Sequence, residues 1–156
     1  KSYNKIDWLI DLVTSIRSTK VELNVPPGSF IDISIVEVGY NKRSIIDDNL
    51  SVFKRLGRIS DIIYSKLNKN GVKIIVGGET VTLYFDQNLN LNEQKLKLNQ
   101  KAKDLKRKII AIENKIKNKS FLKNAPKLIV AKEKKALKLY KIEVIKLNTI
   151  LNSIKN

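Results

Sequence analysis

The chain has 156 residues, a mass of 17.8 kDa and 31 Lys+Arg against 15 Asp+Glu, a formal net charge of +16. It contains no Cys, His or Met, which excludes disulfide frameworks, zinc-thiolate sites, thiol nucleophiles, Ser-His-Asp triads and imidazole metal ligands. No window approaches the roughly 18 to 20 apolar residues of a membrane span, so a soluble protein without membrane attachment is expected, with the cytoplasm as its default location.

Residues 3–23 are expected to form an amphipathic helix, with Ile6, Leu9, Ile10, Val13 and Ile16 on its apolar stripe. Pro26-Pro27-Gly28 stops it, because proline cannot donate to a helix ladder. One helix cannot bury its own stripe. Residues 1–28 are therefore read as the last helix of a bundle whose other members lie upstream, in a chain that starts at Lys1 and so is taken as a piece of a longer protein.

Residues 29–90 read as a small α+β unit. Ile31, Ile33 and Ile35 alternate with Asp32 and Ser34, the pattern of a half-buried strand. A helix is expected over Ser44–Leu56, with Ile45, Ile46, Leu50 and Phe53 on one side and Gly57 beyond its end. A strand at Ile59–Tyr64 follows, then a hairpin pairing Val72–Val76 with Thr80–Phe85 across Gly77-Gly78. Those glycines lack the spaced Gly, Lys and Ser/Thr of a phosphate loop, so they are read as a turn.

Residues 91–156 carry two heptad seams. Leu98, Ala102, Leu105, Ile109, Ile112 and Ile116 form one; Val130, Leu137, Tyr140, Val144, Leu147, Leu151 and Ile154 form the other. The break at Asn118–Lys127 is short enough to make the two helices antiparallel, with Ile112 facing Leu137 and Ile109 facing Tyr140. At 1.5 Å per residue, about 25 residues make an arm roughly 38 Å long. The expected fold is thus α+β: an N-terminal helix from a helical bundle, a small α+β unit, and a C-terminal antiparallel two-helix coiled coil.

The charge is concentrated in that coiled coil. Residues 1–90 hold 12 basic and 10 acidic side chains, whereas residues 91–156 hold 19 basic and 5 acidic. Ile, Lys and Asn together make up 64 of the 156 residues, as AT-rich codon usage would produce, but drift does not explain why acids thin out after residue 90. A polyanionic partner does. Lys101, Lys108 and Lys115 repeat every seven residues beside the seam, extended by Lys97, Arg107 and Lys119, with Lys123 at the tip. Lys134, Lys138 and Lys141 continue the surface on the second helix. Lysine suits phosphate neutralisation better than base reading. Phe121 at the tip either caps the seam or stacks on a base.

Catalytic chemistry is poorly supplied. Asp47-Asp48 is the one adjacent carboxylate pair and falls on the polar side of a helix, while Asp32, Asp61 and Asp86 fit no recognisable catalytic spacing. No catalytic residue, cofactor site or metal site is assigned. Two further classes compete with RNA binding. One is a non-catalytic coiled-coil protein-interaction module whose lysines only confer solubility. The other is an adaptor for anionic membranes, weakened because the hairpin consumes its own apolar stripe.

Three blocks carry a resemblance. Ile16-Arg17-Ser18-Thr19-Lys20-Val21-Glu22-Leu23-Asn24-Val25-Pro26-Pro27 resembles the end of the anticodon-binding domain of bacterial valyl-tRNA synthetases. Ile116-x-Asn118-x-x-Phe121-x-x-x-Ala125-Pro126-x-x-x-Val130-x-x-Glu133 is similar to the tip of that family's C-terminal coiled-coil arm, and Glu93-x-x-x-Lys97-Leu98 to its opening. Lys20 and Lys97 stand where the family usually has Arg, so charge is kept and a bidentate contact is not. The resemblance implies a class I ligase that uses ATP with Mg to charge tRNA with valine, cytoplasmic and monomeric. The family's His- and Met-containing signatures cannot occur in this chain, so the catalytic and editing parts would lie elsewhere. It also implies that Arg17 and Lys20 join the arm lysines as candidate contacts to valine-specific tRNA.

Overall fold

The computed structural model describes residues 4–86 and 89–154. The chain runs α1 (Lys5–Glu22), β1 (Ile31–Ser34), α2 (Tyr40–Asp48), α3 (Leu50–Gly57), β2 (Ile59–Ile63), β3 (Val72–Val76), β4 (Glu79–Tyr84), α4 (Leu91–Lys117), α5 (Lys119–Asn124) and α6 (Lys127–Ile154). The expected helix start at residue 3 lies outside the described residues.

The four strands form one mixed sheet in the order β2-β1-β4-β3. β1 and β2 are parallel, which requires a crossover, and α2 with α3 supplies it. β3 and β4 form the expected hairpin, with Val76 opposite Glu79 and both turn glycines at positive φ, 56° and 83°. The expected single helix over Ser44–Leu56 is instead two helices. Asn49 interrupts it, its side-chain amide donating to the Ile45 carbonyl at 2.9 Å and competing with the backbone ladder. Ile45, Ile46 and Phe53 are buried as expected, but Leu50 is exposed.

One core lies between the sheet and α1, α2 and α3. Trp8, Leu12 and Ile16 of α1 meet Ile33, Val81 and Leu83 there. The expected stripe of α1 is rotated: Ile6 and Ile10 are each 56% exposed, whereas Trp8 and Leu12 are buried. Trp8 drives that choice, because its large ring fills the space under the hairpin and its indole N–H donates to the Val76 carbonyl at 3.0 Å. α1 therefore packs on the sheet rather than needing a separate bundle to cover its buried face. Ile6, Ile10 and Val21 are exposed on its outer side.

The second core joins the base of the arm to the body. Leu98, Ala102 and Leu105 of α4 and Leu147, Ile150 and Leu151 of α6 close around Leu23 and Val72. The heptad seam is thus a coiled-coil contact that continues into the body without a gap. Further out, Ile109, Val130, Leu137 and Tyr140 are only half-buried, as expected where two helices have nothing else to pack against. The break at the tip is not irregular: Asn118 caps the short α5, its side-chain oxygen accepting from the Ser120 and Phe121 amides at 2.9 and 3.3 Å.

Candidate nucleic-acid interface

The arm's charges sort into two groups. Each of its five acids has a basic partner: Glu93 with Lys97 at 3.0 Å, Asp104 with Arg107 at 3.8 Å, Glu113 with Lys141 at 3.1 Å, Glu133 with Lys115 at 3.1 Å and Glu143 with Lys101 at 3.4 Å. All five basic partners are among the expected contacts. Three of these pairs cross from one arm helix to the other, because residues flanking a heptad seam reach over it toward the facing helix. Such exposed pairs are individually weak. They nevertheless fix side chains that belong to the seven-residue repeat.

Lys101 is the most engaged of the repeat. It also meets Glu22 at the end of α1, with 2.9 and 2.8 Å to the two carboxylate oxygens. Burial opposes its charge, but the hydrogen bonds and charges of Glu22 and Glu143 outweigh that and hold its pKa above the usual lysine value. Lys108 places its ammonium 5.6 Å from the centre of the Tyr140 ring. The contacts Lys108–Tyr140 and Lys115–Glu133 join the two helices in keeping with the expected antiparallel register.

The remaining expected contacts are free of carboxylates. Lys119 and Lys123 on α5, and Lys134 and Lys138 on α6, are exposed and have no ion-pair partner among the described residues. Residues 117–138 contain eight lysines against Glu133 alone. Phe121 is half-buried at the tip, flanked by the more exposed Leu122. The unneutralised charge is therefore densest on the outer half of the arm, although Lys103 and Lys106 nearer its root are also exposed and lack a carboxylate partner among the described residues.

Arg17 and Lys20, one turn apart on α1, have different surroundings. Arg17 is exposed. Lys20 is only 2% exposed, and its ammonium donates to the carbonyls of Ser29 at 2.8 Å, Gly57 at 2.9 Å and Arg58 at 3.5 Å. That corrects the expectation that Lys20 is open to a partner: it closes the end of α3 and ties α1 to the loop before β1. Burial, then the positive charges of Arg58 and Arg17, lower its pKa from 10.5 to about 8. A signal for this is present in the sequence, since Lys20 lies four residues after Ile16 and three before Leu23, in phase with the buried stripe.

Among the described residues no group of three His, Cys, Asp or Glu side chains converges to hold a metal ion, and no helix is long and apolar enough to cross a membrane. No protein-family profile matches the chain. It is similar to valine–tRNA ligases: 36% identical over 133 residues to that of Pelagibacter ubique, covering 85% of this chain and 15% of the relative. The ligase of Rhizobium meliloti is 32% identical over 138 residues, 87% of this chain and 15% of its own length. That of Agrobacterium fabrum is 29% identical over 151 residues, 96% of this chain and 16% of its own length. The chain thus spans about 15% of the length of the curated relatives it matches.

Proposed function

We propose that this chain, which resembles a C-terminal region of valine–tRNA ligases, is the tRNA-binding part of such an enzyme and meets RNA through the outer half of its arm. The observation that carries this reading is the segregation of charge. Every acid of the arm is matched, and the unmatched lysines are densest around α5 and the facing turns of α6. A rod bearing lysines without carboxylates neutralises phosphates and follows the shape of a folded RNA, without reading individual bases.

In this reading residues 1–28 end an anticodon-binding helical domain, residues 29–90 join it to the arm, and residues 91–156 are the arm. The exposed Ile6, Ile10 and Val21 on the outer side of α1 offer the rest of such a domain an apolar contact. The parent enzyme would be a cytoplasmic, monomeric class I ligase that charges valine-specific tRNA. ATP and Mg would be held in the catalytic part of the ligase, whose His- and Met-containing signatures this sequence does not contain.

Filter binding of valine-accepting tRNA across a salt series tests the proposal. The logarithm of affinity should fall linearly with the logarithm of salt concentration. Affinity indifferent to salt, or self-association of the chain that exposed apolar arm residues drive and RNA does not alter, would instead favour a protein-interaction module.

A further inference from the structure

We propose that the cavity between α1 and the end of α3 is an anion site for a phosphate group, gripped by Arg17 and Arg58 in the electric field of Lys20. The cavity measures about 390 Å³, and its lining includes those three cations together with Pro27, Gly28 and Gly57. No carboxylate lines it. Three positive charges share a small concave space with no negative one, a repulsive arrangement that an anion would relieve.

The hydrogen-bond inventory assigns each cation its role. An ammonium has three protons, and Lys20 donates all of its bonds to the Ser29, Gly57 and Arg58 carbonyls. Its protons are spent, but its charge is not cancelled, and the neighbouring guanidiniums disfavour that charge in turn. Arg17 and Arg58 are exposed and have no ion-pair partner among the described residues. Their forked donors are the groups free to take phosphate oxygens. Arg58 is held in place from two sides. Its backbone is left-handed at φ 52°, closing α3, and its guanidinium lies 5.7 Å from the centre of the Phe30 ring. Gly28 lines the cavity with no side chain to narrow it.

This site is on the body and includes none of the arm's lysines, so it stands or falls independently of the arm reading. The same chemistry fits a backbone phosphate of RNA and a free phosphate. The test titrates inorganic phosphate into the full chain at constant ionic strength, with chloride as the exchanged anion, and follows the Gly57 and Arg58 amides by NMR. Saturable shifts are expected, with the Lys20 side-chain pKa rising above about 8 as phosphate binds. The double variant Arg17→Gln/Arg58→Asn should bind phosphate about tenfold more weakly or worse, the loss expected when charge-assisted hydrogen bonds are removed. Asparagine is chosen because it tolerates the left-handed backbone at Arg58. Unsaturable shifts, or equal binding by the double variant, overturn the proposal. A parallel binding series with tRNA identifies the source of the phosphate: a weaker complex for the double variant points to the RNA backbone, and an unchanged complex to free phosphate.

Discussion

Lys101 on α4 grips Glu22 at the end of α1 with 2.8 Å between nitrogen and oxygen, 79 residues apart in the chain. The Glu22 side chain is well covered, so this contact is less screened than the outer ion pairs of the arm. Beside it, the Asn24 amide donates to the buried Gln94 at 3.4 Å, and Lys146 of α6 donates to the Ser18 hydroxyl. Together with the apolar cluster around Leu23, these contacts hold the base of the arm at a set place on the body. An arm anchored at its root presents its tip at a defined distance.

A double-mutant cycle on Glu22→Gln and Lys101→Met should therefore show a coupling of about 0.5–1 kcal/mol, the upper range for a partly exposed pair. Urea unfolding followed by circular dichroism measures it. The coupling should shrink with added salt, and a value of zero at low salt would show that the apolar cluster alone fixes the root.

Charge reversal distinguishes the two groups of lysines. Replacing Lys119, Lys123, Lys134 and Lys138 by Glu should lower tRNA affinity and flatten the salt dependence, by about one unit of slope for each phosphate that is no longer neutralised. Lys115→Glu and Lys141→Glu should instead loosen the arm, because each would face Glu133 or Glu113. Thermal unfolding separates the two: the tip variants should melt like the unsubstituted protein, and the seam variants earlier.

The pH dependence of Lys20 has a definite sign. Its folded pKa of about 8 lies below its ordinary 10.5, so between these values the unfolded chain binds more protons than the folded one. The cost of burying the cation is complete below pH 8 and is relieved as pH rises through this window. Relative to Lys20→Met, the unsubstituted protein should gain stability from about pH 8 to about pH 10 in urea titrations. A constant difference between the two would mean that the carbonyl cage compensates the charge fully.

The hairpin turn offers a local test. A Cβ on Gly77 would lie 2.6 Å from Trp8 Cδ1, whereas one on Gly78 would meet nothing within 4 Å. Both glycines have positive φ. Gly78→Ala should thus cost only about 1–2 kcal/mol of backbone strain, and Gly77→Ala measurably more. Trp8 fluorescence should change in the second variant and stay as it is in the first.

Periodic and local features are legible in the chain order. Two heptad seams, the Gly77-Gly78 hairpin and the alternation of Ile31, Ile33 and Ile35 all depend on neighbours a few residues away. The stripe of α1 is not legible in the same way, because apolar residues lie almost all round the helix. Only the space beneath the hairpin selects Trp8 and Leu12 over Ile6 and Ile10. The break at Asn49 and the turn of helix at α5 escape a sequence reading for a related reason. Each depends on one Asn side chain competing for or capping backbone groups, which composition does not reveal.

The imbalance of charge divides along the same line. The sequence by itself determined that the excess lies in a two-helix arm, because heptad spacing and residue counts are properties of the chain order. Only the tertiary structure decided which lysines remain available. Pairing depends on distances between side chains that are 18 to 79 residues apart in sequence, and it uses up Lys101 and Lys115 while leaving the tip bare. It also decided the fate of Lys20, whose charge is turned inward to three carbonyls by the packing of α1 against α3.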